Sequence, residues 1–121
     1  MKKVLLVDDS NTVLMMEKMV LKKRAYEILT ASNGEEGVER AIAEHPDVIL
    51  MDVIMPKMNG FEAVRRLRQE EATKNIPVIM VTTRGESANV ETGFDSGCND
   101  YITKPVDALE LLAKLRDQLG E

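Results

Sequence analysis

Five side chains of this 121-residue chain are of the types that handle charged oxygen chemistry, and their spacing ties each to the end of a short segment. Asp8 and Asp9 follow the apolar run Val4-Leu5-Leu6-Val7, Asp52 follows Val48-Ile49-Leu50-Met51, Thr82 follows Val78-Ile79-Met80-Val81, and Lys104 comes just after the segment Asp100 to Ile102. Continuous apolar runs of this length read as strands buried on both faces, as in the middle of a parallel sheet. An unpaired charge against such a strand is costly, so Asp52 has to reach the open end, where metal, water or a cation can meet it. Two carboxylates about 5 Å apart repel by roughly 3 kcal/mol at an effective dielectric near 20, so three acids in one cleft require a counter-ion or a raised pKa. A divalent cation meets that requirement. All-oxygen donors suit Mg2+, and one histidine with one cysteine gives no cluster of zinc ligands. Mg2+ beside a lysine and a hydroxyl is what a phosphoryl group requires, because its charge is spread over its equatorial oxygens. A metal-bound carboxylate can itself be the nucleophile and give an aspartyl phosphate, and Asp52 is the best placed of the three acids.

Segments of helical period lie between these runs. From Asn11 to Lys23, Val13, Met16 and Val20 recur at helical spacing with Leu14 and Leu21 beside them, which predicts a first crossover helix; Met15 and Met19 read as packing or surface residues. Tyr26 to Ala31 has the mixed polarity of a strand near a sheet edge. Asn33-Gly34-Glu35-Glu36 offers a cap for a helix running to about Glu44, with Val38, Ala41 and Ile42 inward and Pro46 stopping it. After a loop with Pro56, Asn59 and Gly60, a third helix carries Phe61, Val64 and Leu67 inward and Arg65, Arg66 and Arg68 outward. Gly85 to Ser96 predicts a weaker helix, with little beyond Val90 and Phe94 to bury. Asp107 and Glu110 cap a last helix lined by Leu111, Leu112, Leu115 and Leu119. Strand then helix, five times over, calls for right-handed crossovers with helices on both faces: a doubly wound α/β fold, in one domain over residues 1–121. Ligand sites in that architecture lie beyond the carboxyl ends of the strands, so the five side chains should converge there.

Composition narrows the class. The net charge of -5 argues against direct contact with nucleic acid, which needs a basic face. Lys22-Lys23-Arg24 falls where the first helix should end and complements its dipole. No segment is apolar for long enough to span a bilayer, and Met1-Lys2-Lys3 leads straight into a strand, so no signal peptide is expected and the chain reads as cytoplasmic. Cys98 suits a reducing compartment and reads as a small packed residue. His45, beside Pro46, reads as a surface loop residue.

Taken jointly, Asp8-Asp9, the run Asp52-x-x-Met-Pro-x-Met-Asn-Gly, Val81-Thr82 and Asp100-Tyr101-x-x-Lys104-Pro105 resemble the receiver domain of two-component response regulators, over the whole chain. The resemblance implies a flavodoxin-like sheet of order 2-1-3-4-5 with five helices. It implies that Asp52 accepts a phosphoryl group from the phosphohistidine of a sensor histidine kinase or phosphotransfer domain. It further implies that Asp9, Asp52 and the carbonyl of Ile54 ligate Mg2+, with Asp8 close by through water. Thr82 and Lys104 would hold the phosphoryl oxygens, and Tyr101 would be the switch aromatic that reports the state of Thr82. Family members commonly hold the bond before the residue matching Pro105 in cis. The output face would be the fourth helix, fifth strand and fifth helix, acting on an unknown downstream partner. Three readings compete: a Mg2+-dependent phosphohydrolase, for which Val53-Ile54 supplies no general acid; a flavodoxin-like cofactor binder, whose phosphate the acids would repel; and a degenerate receiver used only for docking. Ile54 and Arg84 should border the path of attacking water, which predicts slow loss of the phosphoryl group.

Overall fold

The computed structural model describes residues 1–83 and 94–121. Five parallel strands, β1 (Lys2–Val7), β2 (Tyr26–Ala31), β3 (Val48–Asp52), β4 (Val78–Thr83) and β5 (Asp100–Lys104), form one sheet in the order β2-β1-β3-β4-β5, as expected. The apolar runs stand at its centre and mixed-polarity β2 at its edge. Helices α1 (Asn11–Leu21), α2 (Gly34–Glu44), α3 (Gly60–Gln69) and a C-terminal helix (Ala108–Leu119) cover its faces, and residues 94–96 are helical. The expected helix from Gly85 to Ser96 falls mostly outside the described residues, and Arg84 falls there too. Among the described residues no helix is long and apolar enough to cross a membrane.

Strand side chains alternate between faces, and this divides the core in two. Leu5, Val7, Ile49, Met51, Val78 and Met80 pack with α2 and α3 residues such as Val38, Ala41, Val64 and Leu67. Val4, Leu6, Val48, Leu50, Ile79, Val81 and Ile102 pack on the other face with Leu14 and Leu21 of α1 and Leu111 and Leu115 of the C-terminal helix. Every residue of β3 is buried, as its uninterrupted apolar run requires. Cys98 is buried, and burial pushes its thiol up to about 11. His45 is exposed and closes α2 in a left-handed conformation.

Caps set the helix starts. Asn33 accepts from the Glu36 amide, while the Glu36 carboxylate reaches back to the Ser32 amide. Asn59 and Glu62 form a reciprocal capping box at the start of α3. Two expectations are corrected. The stripe of α1 that meets the sheet is Leu14, Glu17 and Leu21, of which the two leucines were expected; Val20 packs at its margin, whereas Met16 is 52% exposed. Both stripes have helical period, and the helix turns its two leucines to the core, which leaves the Val13 stripe beside Pro105 and Val106. Nor does Arg68 point out into water. Its guanidinium donates to the carbonyls of Gly97 at 3.0 Å and Ile76 at 2.7 Å and to Asn99 Oδ1 at 2.9 Å, fastening α3 to the segments flanking β4 and β5.

Candidate functional site

Register decides which strand ends meet. Val7 pairs with Met51, Asp52 with Val81, Thr82 with Thr103 and Thr83 with Lys104, so β1, β3, β4 and β5 end within a residue or two of one another. Asp8 leaves β1 beside the end of β3, and its amide donates to the Ala31 carbonyl at 3.1 Å, keeping it in line with the sheet. Start-to-end packing is tight here. The Gly60 amide donates to the Val53 carbonyl at 2.8 Å, and a Cβ on Gly60 would collide with the Asp52 carbonyl oxygen, so only glycine lets α3 begin this close to β3. Between them the Met58 amide bonds the Pro56 carbonyl at 2.7 Å around Lys57, whose φ of 67° belongs to a strained turn.

The acids do converge. One carboxylate oxygen each from Asp8, Asp9 and Asp52 lie within 4.8 Å of one another. Asp8 and Asp52 are buried and Asp9 is exposed at the rim. Lys104 Nζ sits 3.1 Å from Asp52 Oδ1 and 3.4 Å from Asp8 Oδ2, bridging two acids with one charge. The Asp8 carboxylate also accepts from the Ser10 amide at 2.9 Å, and Asp52 Oδ1 from the Val53 amide at 3.0 Å. These partners do not offset burial. Burial and then the neighbouring Asp8 charge push the Asp52 carboxyl up to about 6, against the pull of Lys104 and the Val53 amide. Burial also disfavours the Lys104 charge, yet Asp52 and Asp8 outweigh it and hold the ammonium above its ordinary pKa.

Thr82 is buried at the same rim, and its Oγ1 has no hydrogen-bond partner among the described residues. The Ile54 side chain lies two residues beyond Asp52 and is 67% exposed. Tyr101 stands apart from the acids. It pairs with Met80, which by strand alternation puts it on the face of Thr82 and not that of Lys104. Its ring packs edge-on to Phe94 at 6.0 Å, and Lys114 Nζ lies 5.0 Å from the ring centre while bonding the Tyr101 carbonyl and Asp100. The Lys104-Pro105 bond is cis.

Sequence reasoning missed Glu17, a buried acid on α1 whose carboxyl is pushed up to about 8 by burial and then by Asp8. The available signal was its place three residues after Leu14 and four before Leu21.

A model of the response regulator receiver domain matches residues 4–116. The chain belongs to the receiver domains of two-component response regulators. Protein PilH of Pseudomonas aeruginosa is 45% identical to this receiver domain, over 99% of each chain. The crystallised chemotaxis protein CheY4 of Vibrio cholerae superposes with a TM-score of 0.91 at 36% identity, covering 98% of this chain and 99% of that one. The receiver domain of the Pseudomonas aeruginosa sensor histidine kinase PA1611, solved with a magnesium ion in its active-site cleft, superposes with a TM-score of 0.92 at 28% identity, covering 99% and 98%. Other curated relatives are transcriptional regulators of which this receiver domain spans about half the length.

Proposed function

We propose that residues 1–121 act as one phosphoacceptor switch, in which Asp52 takes a phosphoryl group from the phosphohistidine of a histidine kinase or phosphotransfer domain. The observation that carries this reading is Lys104, held between Asp52 and Asp8 with a third acid within 4.8 Å. The donor set fits Mg2+: hard oxygens, open on the Asp9 side, with a surplus of negative charge over the single lysine. Asp9, Asp52 and the Ile54 carbonyl would hold the ion, with Asp8 through water, and a similar receiver domain carries a magnesium ion in its active-site cleft. Bound there, Mg2+ would neutralise carboxylate charge and draw the phosphoryl oxygens to the acids.

The chain's own groups do the rest. An Asp52 carboxylate oxygen attacks phosphorus, the P–N bond to the donor imidazole breaks, and its electron pair stays on nitrogen. Lys104 is freed from Asp52 to pair with the phosphoryl oxygens. The Thr82 hydroxyl, buried without a partner among the described residues, can donate to the same oxygens after a short movement. The new group adds about 1.5 to 2 negative charges. Driving such a switch from mostly inactive to mostly active takes roughly 5.5 kcal/mol of differential interaction, within reach of several charge-assisted bonds. Tyr101, on the face of Thr82, would carry the change to β5 and the C-terminal helix, where a downstream protein binds. This switch works in the cytoplasm, without direct contact to nucleic acid or membrane.

Incubation with Mg2+ and acetyl phosphate, followed by intact mass, tests this. One phosphoryl mass should appear on the wild type and none on Asp52→Asn. No gain on the wild type overturns the switch; equal gain on the variant overturns the acceptor.

A further inference from the structure

Glu17 has no part in the chemistry above. It is 3% exposed, lies on the stripe of α1 that faces the sheet, and its carboxylate makes no hydrogen bond or salt bridge with a described residue. Leucine would suit the place between Leu14 and Leu21, whereas a carboxyl there must be stripped of water. Its surroundings relate it to the acid centre. Glu17 and Lys104 line the same cavity of about 400 Å³, whose other walls include Val13, Met16, Val20 and Pro105. The charged groups that act on it are Asp8 after β1, Lys104 at the end of β5 and Asp52 at the end of β3.

We propose that Glu17 is a positioning residue for Lys104: when ionised, its carboxylate competes with Asp52 and Asp8 for the ammonium and weakens the hold of Lys104 on the phosphoryl oxygens. Lysine can respond because its charge rides on a flexible four-carbon stem with rotatable donors. The cavity gives that stem room on the Glu17 side, between the apolar side chains of Val13 and Val20 and the ring of Pro105. Burial leaves the Glu17 carboxyl neutral at ordinary pH and lets it ionise near pH 8. Below that range Lys104 belongs to the two aspartates; above it, three carboxylates share one ammonium. The acceptor site thus carries a brake that engages on the alkaline side.

The inference rests on the phosphoacceptor reading and is tested alongside it. Phosphorylation by acetyl phosphate with Mg2+ is timed by intact mass from about pH 6 to about pH 9 for wild type, Glu17→Gln and Glu17→Leu, and the Lys104 Nζ resonance of metal-free, nitrogen-labelled protein is followed over the same range. Wild-type rates should fall by roughly threefold to tenfold more than those of Glu17→Gln, the scale of one added charge in a partly buried site. The Nζ resonance should show an inflection near pH 8 that Glu17→Gln lacks. Glu17→Leu, if folded, should match Glu17→Gln in profile, since a merely structural role would alter stability and not the pH dependence. Superimposable wild-type and Glu17→Gln profiles with no Nζ inflection overturn the proposal. A wild type that gains no phosphoryl group overturns the acceptor reading instead, and the metal-free titration still decides whether Glu17 acts on Lys104.

Discussion

Arg68 and the carboxyl-end rim of the sheet are both places where charge enters a folded interior, and they are built on opposite terms. The Arg68 guanidinium donates to Gly97, Ile76 and Lys74 carbonyls and to Asn99 Oδ1, so a half-buried cation is met by several acceptors. At the rim, Asp8 and Asp52 share one ammonium with Asp9 close by, and the Thr82 hydroxyl has no partner among the described residues. Saturated bonding holds a structure still. Surplus negative charge with a poised cation and an idle hydroxyl costs stability, and such a cost is characteristic of sites that meet a charged ligand.

The contrast can be broken at either place. The largest expected effect is at the saturated one: Arg68→Ala strands several partly buried acceptors and should cost about 3 kcal/mol, read as a lower urea midpoint. Arg68→Lys should recover only part of that, because one ammonium cannot span acceptors fixed for a planar fork. A loss below about 1 kcal/mol would mean the fastening is redundant. At the rim the sign reverses. The folded Asp52 pKa of about 6 lies above its ordinary 3.8, so its contribution to stability is present below about pH 4 and lost as pH rises through 6. Without metal, Asp52→Asn should therefore be more stable than wild type by about 2 kcal/mol at pH 8, with little difference at pH 4. Parallel urea-midpoint curves for the two would remove the claim of surplus charge.

Smaller effects sharpen the picture. Exposed, apolar Ile54 cannot orient water toward an acyl phosphate, so Ile54→Asn should speed phosphoryl loss by roughly fivefold, equal to about 1 kcal/mol of barrier; an unchanged or slower rate, timed by mass, contradicts this. Thr82→Val discards a hydroxyl that bonds no described residue, so stability should shift by less than about 0.5 kcal/mol while phosphorylation slows. A larger stability loss would show that the hydroxyl has a structural role.

The buried β3 and the convergence of the strand-exit residues were legible because each rests on a feature local in sequence, an apolar run with a polar residue at its exit, whereas the strand order came from the resemblance to receiver domains. Where the chain offered two equivalent choices, legibility failed. Helix α1 has apolar residues on two adjacent stripes, and sequence period alone cannot say which turns inward, so Glu17 drew no notice. Arg68 was misjudged for a related reason. Its acceptors are mostly main-chain carbonyls, which carry no residue-specific mark in the sequence, and it follows Arg65 and Arg66, which are exposed. Tyr101 was placed correctly on β5, but its clasp by Lys114 spans two elements that no short motif links.

Lys104 belongs to the last of the five strands, ninety-six residues after Asp8. A chain emerging from the ribosome therefore holds its acids long before their cation arrives, and no fragment ending at β4 contains the bridge. The pairing of the acids with their cation therefore waits on the fifth strand, so a fragment without β5 would carry the carboxylates with their repulsion unrelieved.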